Sequence, residues 1–370
     1  MNSISQVEKT SFFEYLGLAD MEKVHSQILA WMLSENCIAL SSKEKVKLLQ
    51  AITGSDKPFI IRNVLTEESD IDIYVECADA IVVIENKIKS SQHSDQLLEY
   101  EAHVRSLNSQ KSAFYVFLTL IEEKAKSGSW INCGYNKISK VLENCALSTA
   151  NFDTTIAIEY RVFLKKLISV VLHFIDHPVE YKNVFTFGHV KKSEKRKAKF
   201  ETYHQKFISD NQLETILQKC YLAKIMENVA LPESYQWDIS ETRGVALVNC
   251  YSSNLIGLNN KQFKTVFQFQ RGAFKFAFTV NSDYNKSKKQ ELGSVVNILG
   301  DMSKNNHLGY TRHNLPQSNA WVSISKVPKA KYYTLSFSEF TKMFRREFQN
   351  FLILDSTLRH AISQISPGSA

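Results

Sequence analysis

The sequence is short of the residues that break up ordered chains. Its 370 residues hold only 12 glycines and 6 prolines, which excludes collagen-like repeats and long Pro/Gly-rich disordered stretches. Six cysteines, at positions 37, 77, 133, 145, 220 and 250, are scattered, with no Cys-x-x-Cys pair. That argues against a zinc ribbon or a disulfide scaffold and fits reduced thiols in a cytoplasmic protein. No run approaches the ~18 apolar residues of a membrane span, and Met1 to Gln6 lack the charged and apolar regions of a secretion signal. No internal repeat stands out. What remains is ordinary globular material: 44% of residues are hydrophobic, and the length exceeds that of one typical domain. The formal charge of +7 suits a polyanionic partner without requiring one.

The most informative stretch runs from residue 68 to residue 100. Ile71 to Val75 and Ala80 to Ile84 are apolar runs rich in β-branched residues, joined by Glu76, Cys77, Ala78 and Asp79; they read as two strands of a hairpin. The first carries Asp70 and Asp72, and the second runs into Glu85, Asn86 and Lys87. Side chains two apart on a strand share a face, so Glu85 and Lys87 point one way and Asn86 the other. Antiparallel pairing places Asp72 near Glu85. Two carboxylates and a lysine at strand ends are costly to bury unpaired, and they match what a divalent cation in oxygen ligands requires. Alternatively they are solvated strand ends.

Asp72, about a dozen intervening residues and then Glu85-Asn86-Lys87 closing an Ile-Val-Val-Ile strand resemble the signature of the PD-(D/E)XK nuclease superfamily. Gln96 and Tyr100, in Gln-Leu-Leu-Glu-Tyr, resemble the Gln-x-x-x-Tyr element of its RecB-like branch. Glu22 to Ser26 followed by Leu29 to Leu33 is similar to that branch's first helix. The resemblance spans about residues 10 to 125, with Ile71 standing where the family has proline. It implies a restriction-endonuclease-like α/β core, a mixed sheet flanked by helices, and a metal-dependent nuclease. The implied metal ligands are Glu22, Asp72, Glu85 and the backbone carbonyl of Asn86, holding Mg²⁺ with Mn²⁺ as a substitute. Asp72, Glu85 and Lys87 become the catalytic set, with Gln96 and Tyr100 positioning the substrate strand. The implied partner is nucleic acid, DNA first, in phage defence or DNA repair. The alternatives are an RNA nuclease or a catalytically silent nucleic-acid-binding or assembly protein. A protein partner or a homo-oligomer is compatible with all three.

Elsewhere the patterns predict a short helix at 11–18 and a helix from Met21 to about Ser34 capped by Asp20, with Val24, Ile28, Trp31 and Met32 facing the core and His25 supporting the site or facing substrate. A helix at 43–53 closed by Gly54 follows, then a strand from Phe59 to Thr66. Gln96, Tyr100 and His103 share one helical face, either phosphate-contacting or solvated. Ala113 to Leu120 reads as a buried strand, Trp130 to Tyr135 as a short one, and 138–146 and 155–176 as helices. The most basic stretch, Lys191 to Lys199, is either a solvated linker or a phosphate-tracking patch. A long helix over 200–227 precedes alternating strands at Gln236–Ile239, Val245–Tyr251, Leu255–Leu258, Lys264–Gln270 and Phe274–Val280. Helices near 286–303 and 337–364 complete a C-terminal α+β domain whose Lys261, Lys264, Arg271, Lys275, Arg345 and Arg346 suit nucleic acid. The expected division is 1–185 nuclease core, 186–230 basic linker and helix, and 231–370 C-terminal domain with a substrate-binding or assembly role.

Overall fold

The computed structural model describes residues 10–88, 96–107, 110–120, 125, 127–147, 151–186, 202–242, 244–258, 261–280, 293–305, 307–314 and 321–365. The chain divides into two compact units, Met1–His173 with Lys199–Ile216, and Phe174–Ala198 with Leu217–Ala370.

The first unit is built on a sheet of five strands among the described residues, in the order β1 (Ile61–Glu68), β2 (Ile71–Cys77), β3 (Ala80–Lys87), β4 (Ser112–Thr119) and β5 (Trp130–Gly134). β1, β2 and β3 pair antiparallel, while β3–β4 and β4–β5 are parallel. The helix α4 (Gln96–Leu107) lies between β3 and β4 in sequence, as a parallel crossover demands. Solvation explains the strand order. β1 is largely exposed and forms an edge, β2 alternates buried and half-buried residues, and β3 is buried along nearly its whole length. This is the expected mixed α/β core.

Around the sheet lie α1 (Phe12–Tyr15), α2 (Glu22–Leu33), α3 (Ser42–Thr53), α5 (Tyr135–Asn144) and α6 (Phe152–Asp176), whose last residues pass into the second unit. α3 ends on Gly54 at φ +64°, the left-handed cap that glycine adopts at least cost. Two readings of α2 need correction. Its N-cap is Met21 rather than Asp20, with no side-chain cap. Its fully buried residues are His25, Ser26, Leu29, Met32 and Leu33, while Val24, Ile28 and Trp31 are only half-buried. His25 stacks on Phe163 of α6, and this second contact shifts the buried stripe away from the simple apolar one. The long helix expected over 200–227 is also broken, into α8 (Tyr203–Asp210) and α9 (Glu214–Glu227). No glycine or proline marks the break. Asn211 does it, donating its amide to Phe207 O at 3.0 Å and accepting from Ala19 N at 3.4 Å, with Gln212 turning at φ +54°.

The second unit holds an antiparallel sheet ordered β11–β12–β10–β9–β7–β6, with β8 against β9. Its strands are β6 (Tyr235–Thr242), β7 (Val245–Ser252), β8 (Ile256–Leu258), β9 (Lys261–Gln270), β10 (Ala273–Val280), β11 (Arg312–Asn314) and β12 (Trp321–Lys326); the last two were not foreseen. Alternating phenylalanines give one aromatic face. Phe267 and Phe274 meet Phe344 of α11 (Phe337–Ile365) with centroids 5.3 and 5.6 Å apart, and Phe276 meets Phe351 at 5.5 Å. α7 (Lys182–Thr186) and α10 (Gly293–Asn305) complete the unit. Lys191 to Lys199, Ser90 to Ser94 and the first part of the helix expected near 286–303 lie outside the described residues.

Candidate active site

The site begins with the register of the β2–β3 hairpin. Ile73 pairs with Ile84, so the next rung sets Asp72 across from Glu85. The Asn86 N–H donates to Asp72 Oδ2 at 2.7 Å, locking that carboxylate to the opposite strand. β3 is the central strand of the five-stranded sheet, which takes Glu85 into the protein: Glu85 is fully buried, although Lys87 beside it keeps some exposure. Neither Glu85 oxygen accepts a hydrogen bond of ordinary geometry among the described residues, and the Lys87 ammonium pairs with Oε1.

The electrostatics follow from crowding. Burial pushes the Glu85 carboxyl up to about 7, and the Asp72 charge adds to the push, against the pull of Lys87. Asp72 is raised as well, first by burial and then by Glu22 and Glu67, despite the bond from Asn86 N–H. Burial works to lower Lys87, but Glu85, Asp72 and Glu22 outweigh it and hold the ammonium above its ordinary value. Two carboxyls raised by burial and by neighbouring acids are the electrostatic condition a bound cation relieves. The donors are hard oxygens, and Glu85 Oε2 is buried without a partner among the described residues, so the chemistry of Asp72 and Glu85 fits a divalent cation.

Glu22 is drawn to the same end of β3, but its Oε1 accepts the Ile88 N–H at 3.0 Å. Among the described residues no three His, Cys, Asp or Glu side chains gather as a ready-made cage. Asn86 turns its side chain away from Glu85 and Lys87, as strand alternation requires. There its amide donates to Glu22 O at 3.1 Å and Ser26 Oγ at 3.0 Å, and accepts from the Tyr135 hydroxyl at 3.0 Å. One fully buried amide thus ties α2, β3 and α5 together behind the carboxylates.

Gln96 and Tyr100 form a second clamp. The Gln96 amide donates to the Tyr100 oxygen at 2.7 Å, and the Tyr100 hydroxyl donates to Asp70 O at 2.6 Å. Tyr100 does not lie on a solvated face: it belongs to a core cluster with Ile71, Val83, Leu97 and Phe117, and burial pushes its hydroxyl up to about 12. What it holds is a strained turn. Ser69 and Asp70 have φ +51° and +66° between the paired Glu68 and Ile71, the arrangement of a type I′ hairpin built without glycine. Glu67, at φ +59°, faces Lys23 at 3.8 Å. Three left-handed non-glycine residues beside Asp72 put backbone strain next to the carboxylates.

His25 is a supporting residue and does not face substrate. It is fully buried, with Nε2 donating to Ala19 O at 3.3 Å and Nδ1 therefore accepting from Tyr160 OH at 3.0 Å. Desolvation brings its pKa down to about 4. Sequence reasoning missed three anchors: Tyr135, Ser26 and Glu101. The buried Glu101 carboxylate accepts from Ser127, Ser129 and the Trp130 indole, fastening α4 to the start of β5. Their partners lie 26 to 60 residues away, a separation that no local pattern encodes.

No curated protein and no solved structure matches the chain. A family model of the PD-(D/E)XK nuclease superfamily matches residues 10–165, the segment that holds Glu22, Asp72, Glu85 and Lys87. Residues 10–165 of this chain belong to the PD-(D/E)XK nuclease superfamily.

Proposed function

We propose that the chain hydrolyses phosphodiester bonds in nucleic acid, DNA first, as a Mg²⁺-dependent nuclease of RecB-like type acting in the cytoplasm in phage defence or repair. The observation that carries this reading is the pair of crowded carboxylates, Asp72 and Glu85, from adjacent strands, with the Lys87 ammonium against one of them. Asp72 and Glu85 hold the cation, supported by the Asn86 carbonyl and by Glu22 from α2. When bound, the cation supplies positive charge against the phosphoryl oxygens and the leaving group. The Asn86 N–H on Asp72 supports this reading, since it holds that carboxylate to the neighbouring strand before any cation arrives. Lys87, charged at neutral pH, orients the attacking water and stabilises charge building on the scissile phosphate. Tyr100 and Gln96 act through the Asp70 turn, keeping the Asp72 strand in place, with the half-buried Gln96 holding the Tyr100 hydroxyl.

The test is a cleavage panel: supercoiled plasmid, linear duplex, single-stranded DNA and RNA, each with Mg²⁺, Mn²⁺ or EDTA. Metal-dependent loss of DNA is the expected result. Loss of RNA alone would move the substrate class to RNA. Silence on every substrate, together with no Mg²⁺ or Mn²⁺ binding by calorimetry, would overturn the reading.

A further inference from the structure

The second unit carries a pocket of about 320 Å³ that the hydrolytic site does not use. It lies at the tip of the β9–β10 hairpin. Arg271 and Gly272 form the turn at φ +52° and +76°, and the far wall is the stretch from Val327 to Tyr333. The floor is rigid. The Tyr332 ring meets Phe185 and Phe269 edge-on at 5.3 and 5.2 Å, and its hydroxyl donates to Phe185 O at 3.0 Å. Glycine suits position 272, since φ is +76° and a Cβ would crowd that ring at 3.2 Å. Above the floor the lining is apolar and aromatic, with Val327 47% exposed and Pro328, Ala330 and the half-buried Tyr333 beside it. Two exposed cations, Arg271 and Lys331, line the same pocket. The Lys331 ammonium lies 5.9 Å from the centre of the Tyr333 ring, and neither cation has a carboxylate partner among the described residues.

A planar apolar wall with unpaired cations suits a ligand that is flat and apolar on its faces and anionic at its edge. The volume sets the size: 320 Å³ is at the low end for a small-molecule site and takes one nucleotide-sized group. A base still paired in a duplex cannot enter such a pocket, whereas an unstacked base of a single strand can, using aromatic stacking and phosphate contacts. An acidic peptide would satisfy the cations but leave the aromatic wall unused. Resting on the nucleic-acid reading above, we propose that this pocket binds one unpaired nucleotide of a single strand, its base against Tyr333 and Val327 and its flanking phosphates on Arg271 and Lys331. It gives the C-terminal unit a substrate-holding role separate from the chemistry.

Binding of a labelled oligothymidylate of about 12 nucleotides to the full chain, followed by anisotropy in EDTA, tests this. Arg271→Asn with Lys331→Ala removes both cations, and asparagine tolerates the left-handed turn. The expected result is a roughly tenfold weaker Kd, with the slope of log K against log salt reduced by about 1.4. Tyr333→Ala should weaken binding about fivefold or more. Lys342→Ala, an exposed cation on α11 outside the pocket, should change nothing. Lys331→Ala alone, at an exposed position, repeats the test without touching the turn. Unchanged affinity in the cation variants overturns the proposal. So does an equal loss on duplex DNA, which would mark a bare phosphate patch, and so does an equal loss from Lys342→Ala. The cleavage panel is scored apart from this binding assay: cleavage with affinity unchanged in the cation variants sinks the pocket alone, and a silent panel with affinity lost in them sinks the nuclease reading alone.

Discussion

Replacing Asn86 by leucine isolates the clamp behind the carboxylates. The main-chain N–H to Asp72 and the main-chain carbonyl survive, and only the side-chain amide is lost. Glu22 O keeps a donor, since the Ser26 hydroxyl also reaches it at 3.1 Å. The Tyr135 hydroxyl loses its acceptor at 3.0 Å; its ring is fully buried, and the Tyr160 hydroxyl is the neighbour left to it. The three amide bonds contribute about 1 kcal/mol each. Asn86→Leu should therefore destabilise the first unit by about 3 kcal/mol. Tyr135→Phe strands the amide oxygen instead and should cost about 1–2 kcal/mol. The double variant removes both partners, so it should be more stable than additivity predicts, by about 1–2 kcal/mol. The assay is urea-dependent amide exchange of the α2 and β3 peptides in the full chain, which separates this unit from the second. A cycle additive to within about 0.5 kcal/mol would refute the clamp.

Other consequences are as direct. His25 titrates near 4 when folded and near 6.5 when unfolded. The unfolded chain thus takes up the proton first as pH falls, and stability present above pH 6.5 is lost toward pH 4, by about 3 kcal/mol in all. His25→Gln should flatten the stability profile over that window in urea titrations; an unchanged slope would remove His25 from the account. Ser69→Asn with Asp70→Gly gives the β1–β2 turn the residues its left-handed φ values favour and should raise stability by about 1 kcal/mol or more, read as a higher melting temperature. Tyr100→Phe loses its bond to Asp70 O and should cost about 1 kcal/mol; a larger fall in cleavage rate than in stability would tie the turn to the placement of Asp72.

Much of the site was legible because strand geometry is local. Alternation placed Glu85 and Lys87 on one face and Asn86 on the other, and hairpin length placed Asp72 opposite Glu85. What stayed hidden was set by distant partners. Tyr135 follows Gly134 with nothing in its neighbourhood to mark it, yet its hydroxyl closes the Asn86 clamp. Tyr100 keeps the spacing of a polar helix face, but its ring is drawn into the core beside Ile71 and Phe117. Asn211 breaks a helix that propensity alone would continue, because Ala19 supplies a donor 192 residues away. In α2 hydrophobicity favours a stripe of Val24, Ile28, Trp31 and Met32, of which only Met32 is buried; contact with α6 buries His25 and the Asn86 amide of β3 covers Ser26 instead.

The central claim is that Asp72, Glu85 and Lys87 form one hydrolytic centre. Asp72→Asn changes one oxygen for nitrogen and can still accept from Asn86 N–H, so folding is kept while the charge is lost. Single-turnover cleavage of DNA in Mg²⁺, wild type against Asp72→Asn and Lys87→Ala, tests the claim most directly. Metal-dependent cleavage by the wild type, abolished in both variants while their melting temperatures stay near its own, is the predicted result. Cleavage at the wild-type rate by a pure preparation of either variant would contradict it.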